Sequence, residues 1–355
     1  MATIKDVAKK AGVSISTVSR VLNESQNVSS ELRQKVNSAV EELNFSLNNV
    51  ARGLKNSQTK KIAVIIPRIS RSFFADVLDG IHLAAEKRGY SMQIAESYDD
   101  LEKEIQMIDS FVSEWTDGII LASSISSLTT PSARKYIQKL QSLQKKGTKI
   151  PVVTLEFALS SGIDAVIFDN RQAAYDAVCY LIEKKQRKNI VYMGLPEKSF
   201  LGLERLAGYL QALEDHNIIS DSSRIRKGNY TSDSGYLEMK KILLDNIKVD
   251  ALFCANDQMA IGAIKACQEF QIQIPEDLAV IGMDDIYASS LITPSLTSVC
   301  FPKTKLGITA MDMIADILNE SSEKEHISEH KYLQYKIIER RTTNENYKST
   351  FELSE

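Results

Sequence analysis

Apolar residues recur along this chain with two different rhythms, and the rhythm changes near residue 60. In the first stretch the period is helical. Ile4, Val7, Ala8 and Ala11 stand at i, i+3, i+4 and i+7, with Thr3 ahead as a capping hydroxyl, Asp6 in the first turn and Gly12 as terminator. A second helix follows directly, with Val18, Val21 and Leu22 on one face and Ser16, Ser19, Arg20 and Asn23 on the other. A third is predicted from about Ser30 to Leu43, where Leu32, Val36, Ala39, Val40 and Leu43 share a side and Ser29 or Ser30 can cap. Two short helices around a glycine turn predict a helix-turn-helix, and the third closes one small core.

From Lys60 onward, short continuous apolar runs alternate with helical patterns. Strands are predicted at 62–67, 90–96, 118–122, 151–156, 165–168, 190–194, 225–230, 251–255 and 278–282. Helices are predicted near 73–89, 101–114, 132–146, 171–185, 203–216, 233–246 and 257–270. This alternation implies parallel sheets covered on both faces. Nine strands are many for one sheet, and Ser160-Ser161-Gly162 offers a break between two Rossmann-like halves.

Composition narrows the class. At 355 residues, 43% apolar and 25% charged, the chain has room for two or three domains and is neither disordered nor membranous. Apolar runs such as Ile62-Ala63-Val64-Ile65-Ile66 are too short to span a bilayer, and the N-terminus carries no apolar leader, so a cytoplasmic chain with no membrane partner is expected. Cys179, Cys254, Cys267 and Cys300 are widely and irregularly spaced among only four histidines, which indicates neither a disulfide framework nor a structural zinc site; no cofactor is expected. The net charge of −3 hides an asymmetry: residues 1–61 hold ten Lys/Arg against five Asp/Glu, and the remainder holds 33 against 41. A polyanion-binding surface is therefore expected at the N-terminus.

The small core does not explain the outward face of the second helix. Arg20 can fork onto guanine O6 and N7, Ser16 can bond either base edge, and Ile15 can meet a thymine methyl. The same residues carry a family resemblance. Thr3-Ile4-Lys5-Asp6-Val7-Ala8, Gly12-Val13-Ser14 and Thr17-Val18-Ser19-Arg20-Val21-Leu22-Asn23 resemble the DNA-binding head of the LacI/GalR family of bacterial transcription regulators. The similarity continues through Val28-Ser29, Arg33, Val36, Glu42-Leu43-Asn44-Phe45 and Asn48-Asn49-Val50-Ala51-Arg52-Gly53-Leu54.

The resemblance implies contacts to double-stranded operator DNA from Thr3, Ser14, Ile15, Ser16, Thr17, Ser19, Arg20 and Asn23. It also implies a hinge helix at Val50 to Lys55 that pairs with its dimer mate and drives Leu54 into the minor groove, with Ala51 and Lys55 beside it. A helix of about eight residues is below the roughly 12 to 15 needed for marginal stability in water, so it should wind only when DNA and the partner hold it. Leu47 stands where the family usually has proline, which leaves this hinge less preorganised.

For the whole chain the resemblance implies an α/β fold, with a three-helix head and hinge helix followed by a two-lobed, periplasmic-binding-protein-like effector domain with two parallel sheets. The expected division is 1–46 for the DNA-binding domain, 47–59 for the hinge and linker, 60–345 for effector binding and dimerisation, and 346–355 for a polar tail. Lobe 1 is expected over about 60–160 and 291–319, lobe 2 over about 161–290 and 320–345, with three crossings between them. Leu296 to Phe301 and a helix near 303–319 should thus lie in the first lobe, and Tyr332 to Arg341 in the second. The tail has no leucine heptad, so a homodimer is expected, matching two operator half-sites.

Ligands of open α/β sheets lie beyond the carboxyl ends of the strands. Residues there are Arg68 to Phe74, Glu156, Tyr230, Asn256-Asp257-Gln258, Asp284-Asp285 and Phe301. The family's cleft positions map onto Phe73, Phe74, Glu156, Arg205, Tyr230, Asn256, Gln258, Asp284 and Phe301. A fork donor opposite carboxylates, amides that donate and accept, and a flat ring suit a hydroxylated small molecule such as a sugar or sugar derivative. A nucleobase or nucleoside co-effector, or a phosphocarrier-protein corepressor, is the alternative. Asp257 and Asp285 also read as caps of the helices after them. No dinucleotide-binding, P-loop, nucleophile-elbow or zincin motif occurs, so an enzyme is not expected. The expected function is a transcriptional regulator, with repression the family's commoner mode.

Overall fold

The computed structural model describes residues 2–22, 28–43, 45, 58–196, 199–320 and 326–348. The expectations for Asn23, for the Leu47 substitution and for the hinge residues Ala51, Leu54 and Lys55 lie outside the described residues. Two compact units divide between Thr59 and Lys60.

The first unit contains α1 (Ile4–Ala11), α2 (Ile15–Leu22) and α3 (Ser30–Glu42). Thr3 and Asp6 close a reciprocal cap on α1: the Asp6 amide donates to Thr3 Oγ1 at 3.4 Å, and the Thr3 amide donates to Asp6 Oδ2 at 2.8 Å. Gly12 ends the helix in the left-handed region at φ 65°, where a side chain would be strained. Val7, Val18 and Val36, one from each helix, are fully buried against one another with Ala8, Val21 and Ala39 around them.

In the second unit β1 (Lys61–Ile66), β2 (Ser91–Glu96) and β3 (Gly118–Leu121) alternate with α4 (Ser72–Arg88) and α5 (Leu101–Ser113). After α6 (Pro131–Gln141) a hairpin of β4 (Gln144–Lys145) and β5 (Thr148–Lys149) stands where the apolar pattern predicted more helix. Lys146 and Gly147 have φ of 49° and 80°, the two left-handed residues that a tight hairpin turn needs. β6 (Val152–Glu156) and β7 (Asp164–Ile167) follow.

The next stretch comprises α7 (Asn170–Cys179), β8 (Ile190–Gly194), α8 (Phe200–Asp215), β9 (Ile225–Lys227) and α9 (Ser232–Leu244). It continues through β10 (Ala251–Cys254), α10 (Asp257–Glu269), β11 (Ala279–Asp284) and α11 (Tyr287–Leu291). β12 (Thr297–Cys300), α12 (Lys303–Asn319), β13 (His330–Tyr332) and β14 (Lys336–Ile338) complete the order.

Two six-stranded sheets result, ordered β13-β7-β6-β3-β1-β2 and β14-β12-β11-β10-β8-β9. All pairings are parallel except that of β14 with β12, an antiparallel edge the strand pattern did not announce. Three of the lobe assignments differ from those expected. The expected division puts residues 165–168 in lobe 2, yet β7 pairs with β6 in the first sheet. It puts the 296–301 strand in lobe 1, yet β12 pairs with β11 in the second sheet. Of 332–341, Tyr332 belongs to β13 in the first sheet, and only β14 lies in the second. Ser160-Ser161-Gly162 is therefore a turn inside lobe 1. An apolar run has no mark of which sheet it joins, because that choice is made by partners far away in sequence.

The chain still crosses three times, between β7 and α7, between β12 and α12, and between β13 and β14. The crossings lie side by side. Phe168 stacks on Phe301 at 4.5 Å between ring centroids, Tyr335 meets Phe301 edge-on at 6.1 Å, and the Leu333 amide donates to the Ile167 carbonyl at 2.9 Å. In the first lobe α12 lies against α4 through glycine. A Cβ at Gly80 would stand 2.1 Å from the Thr304 carbonyl oxygen, and one at Gly307 2.1 Å from that of Val77. No helix among the described residues is long and apolar enough to cross a membrane.

Candidate functional site

In the head, packing Val18 and Val21 inward turns the other side of α2 to solvent. Ser14, Ile15, Ser16 and Arg20 are exposed, Ile15 by 46%, and Thr17 and Ser19 are half-buried. Thr3 is exposed but committed to Asp6, and that hydrogen bond holds the Asp6 carboxyl below its usual range. Ser14 is likewise committed as a cap, accepting from the Thr17 amide at 3.1 Å, with its hydroxyl 2.8 Å from that of Thr17 and 2.7 Å from that of Ser16. What the face offers outward is one apolar side chain, a guanidinium and short hydroxyls.

In the second unit, the strand ends of both lobes open onto a cavity of about 590 Å³. Eight of the nine residues expected there line it: Phe73, Phe74, Glu156, Arg205, Tyr230, Asn256, Gln258 and Asp284. Phe301 does not. It is 1% exposed and lies beneath Arg205, whose Cζ is 5.9 Å from its ring, because the chain turns inward after β12 to pack the crossings.

Arg205 enters from α8 and is almost wholly buried. Its Nε donates to Asn170 Oδ1 at 2.9 Å, its Nη1 donates to the Ala255 carbonyl, and Nη1 lies 3.8 Å from Asp284 Oδ1. Asp284 and Glu156 are 7% exposed each, and neither carboxyl accepts a direct hydrogen bond from the described residues. Burial pushes Asp284 up to about 7, with Arg205 opposing and Glu156 adding to the rise. Burial raises Glu156 too, against the pull of Arg205 and Arg71. Lys303, from α12 of the first lobe, donates to the Asp284 and Asp285 carbonyls at 2.7 Å each and so ties the lobes beside the cavity.

Four cavity residues hold left-handed backbone without being glycine: Asp99 at φ 60°, Glu156 at 69°, Tyr230 at 73° and Asp284 at 114°. Each sits where a strand or turn gives way to the cleft, the kind of place where strained backbone gathers. Asn256 is less available than its residue type suggested. Its Oδ1 caps α10 at the Met259 amide, 3.0 Å, and its Nδ2 donates to the Tyr230 carbonyl, 3.0 Å. Gln258 is half-buried on the same wall.

The neighbouring acids are not simple caps. Asp257 accepts from the Ile286 amide at 2.9 Å and from the Ser289 and Ser298 hydroxyls at 2.7 and 2.6 Å, and burial raises it to about 7. Asp285 accepts from Arg340 Nη1 at 2.7 Å.

Sequence reasoning overlooked several residues of the wall. Arg71, Asp99, Ser124, Ser199 and Phe200 all line the cavity. Arg71 stood inside the Arg68 to Phe74 stretch, where nothing marked it out from its neighbours. The Ser123–Ser124 loop is held by Glu104, whose fully buried carboxylate accepts from Ser123 Oγ at 2.8 Å, from the Ser124 amide at 2.6 Å and from the Tyr136 hydroxyl.

Among the described residues, Cys179, Glu183 and His216 are grouped closely enough to hold a metal. They lie outside the cavity, and His216 is already satisfied, with Nε2 3.0 Å from Glu183 and Nδ1 2.8 Å from the Ala212 carbonyl.

Residues 3–48 match bacterial regulatory proteins of the lacI family, and residues 178–343 match the periplasmic binding protein-like domain. The chain is 33% identical over 345 residues to the HTH-type transcriptional repressor PurR of Klebsiella pneumoniae, covering 96% of this chain and 97% of that one. The chain belongs to the lacI family. This lacI-family regulator is 34% identical, with the same coverage, to PurR of Escherichia coli O1:K1. Its fold resembles the lac repressor dimer bound to operator and the anti-inducer ONPF, with a TM-score of 0.82, 26% identity and coverage of 96% and 99% of the two chains. It also resembles the CelR–cellobiose complex, with a TM-score of 0.69, 25% identity and coverage of 96% and 100%. The lacI-family regulator is a DNA-binding transcriptional repressor by kinship and not an enzyme.

Proposed function

We propose that the protein represses by binding a two-fold-symmetric operator as a homodimer, and that a sugar or sugar derivative in the cleft of the second unit controls that binding. The outward face of α2 reads the major groove, with Arg20 on guanine and Ile15 on a thymine methyl. The hinge residues Ala51, Leu54 and Lys55 bend the centre of the site from the minor groove.

One observation carries the effector reading. Glu156 and Asp284 line the cavity without a hydrogen bond to either carboxyl from the described residues, and both flank the Arg205 guanidinium. Buried acceptors of this kind call for ligand hydroxyls, which can donate to the acids and accept from arginine, while an aromatic ring covers the apolar face of a sugar. CelR has been solved with cellobiose, a ligand of that class.

A nucleobase or nucleoside is the second reading, favoured by the aromatic rings of Phe73, Phe74 and Tyr230 among the cavity's lining residues. Ligand-dependent thermal stabilisation across monosaccharides, disaccharides, nucleobases and nucleosides separates the two, followed by operator titration with each hit. A sugar that stabilises the protein and shifts operator affinity is expected. Stabilisation by nucleobases alone overturns the sugar reading, and operator affinity unchanged by every stabilising ligand overturns the control.

A further inference from the structure

The cleft contains a cation–π contact made between its two lobes. Arg71 sits at the start of α4 in the first lobe, where Asp99 pairs with its Nη2 and with Arg68 Nε at 3.7 Å. Its guanidinium lies over Tyr230 of the second lobe, 3.5 Å from Cζ to ring centroid. Tyr230 is fixed on its own side, its hydroxyl 2.8 Å from Ser199 Oγ and its carbonyl accepting from Asn256. Arg71 Nε is buried and has no hydrogen-bond partner among the described residues. Both residues line the cavity, and the Arg71 guanidinium covers one face of the Tyr230 ring.

Such a contact is strongest when desolvated, and a buried donor left without an acceptor is costly. A ring-shaped ligand that needs the Tyr230 face therefore competes with a charged group of the protein, and gains if it supplies the acceptor that Nε lacks.

We propose that Arg71 is the specificity-determining residue of this cleft: it latches the two lobes over Tyr230, and it admits only a ring that displaces the guanidinium and offers that guanidinium an oxygen acceptor. A hydroxylated or carboxylated ring meets both conditions, and an apolar ring meets only the first. The ligand class deepens the effector reading above and rests on it; the latch does not, and is measured without ligand.

The test uses the full chain with Arg71→Ala, Arg71→Lys, Tyr230→Leu and the Arg71→Ala/Tyr230→Leu double variant, compared by hydrogen exchange with no ligand added. Local opening sets exchange in such segments. Arg71→Ala is expected to speed exchange about tenfold at residues 199–206 and 229–231 and to leave the sheet amides of 62–66 and 190–194 unchanged. Tyr230→Leu should do the same and the double variant no more, because the pair acts as one unit. Arg71→Lys should fall between, since it keeps the charge and loses the flat face.

Unchanged exchange in Arg71→Ala, additive effects in the double variant, or a rise spread over both sheets overturns the latch. For specificity, wild type and Arg71→Ala are screened by thermal shift against cyclohexanol, methyl glucoside, glucuronate, adenine and adenosine. More members of that panel should stabilise the variant than the wild type. Identical hit sets, empty ones included, overturn the specificity role.

Discussion

Arg205 Nη1 lies 3.8 Å from Asp284 Oδ1, two side chains exposed by only 4% and 9% on the wall of the cleft. The same guanidinium holds Asn170 and the Ala255 carbonyl, so its removal strands a carboxylate and two acceptors at once. Arg205→Ala should cost about 3 to 5 kcal/mol of stability, the range for breaking a buried pair from one side. Denaturant unfolding checks this, and Arg205→Ala/Asp284→Asn should recover part of the loss. A cost below about 1 kcal/mol would show that the pair is solvated.

Asp284 and Asp257 are both pushed up to about 7 from 3.8, chiefly by burial. With folded values above unfolded ones, the native state binds protons more tightly between them, so stability falls as pH rises from about 4 to about 7 and levels off above. The unfolding midpoint of Asp284→Asn should therefore decline less between pH 5 and pH 8 than that of the wild type. Parallel pH profiles would place the titration elsewhere.

Arg20→Ala should lose about 1 to 3 kcal/mol of discrimination at one base pair of the operator and leave the head folded. Binding to a set of singly substituted duplexes measures it. Equal weakening on every sequence would mean that Arg20 touches phosphate alone.

Leu54→Ala should reduce operator bending and lower specific affinity more than nonspecific affinity, since the bend is what an apolar wedge maintains. Energy transfer between dyes at the duplex ends reads the angle directly. A bend equal to the wild type's excludes the wedge.

Much of this architecture was legible in the sequence, unevenly. The head could be read almost to the residue: Thr3, Asp6 and Gly12 are local signals and the valine spacing is helical, so α1 and α2 needed no distant information. The cleft was legible in outline because strand ends are marked by the apolar runs before them and because the family resemblance pointed to Arg205 on its helix, and eight of nine expected residues line the cavity.

What was lost is non-local. The sheet membership of β7, β12 and β13 depends on partners a hundred or more residues away in some cases, as when His330 pairs with Ala165. Phe301 follows a strand like the true wall residues, yet the chain there turns into the interior. Arg71 had no mark of its own, since its contacts are with Asp99 and Tyr230. The β4–β5 hairpin hid behind a helical pattern interrupted by a single glycine, Gly147.

Phe301, then, has a different consequence from the one its position suggested. The three passages of the chain between the lobes are gathered at one spot, where Phe301 packs against both Phe168 and Tyr335. Truncating the Phe301 ring would therefore loosen all three passages between the lobes at once, although it does not line the pocket itself.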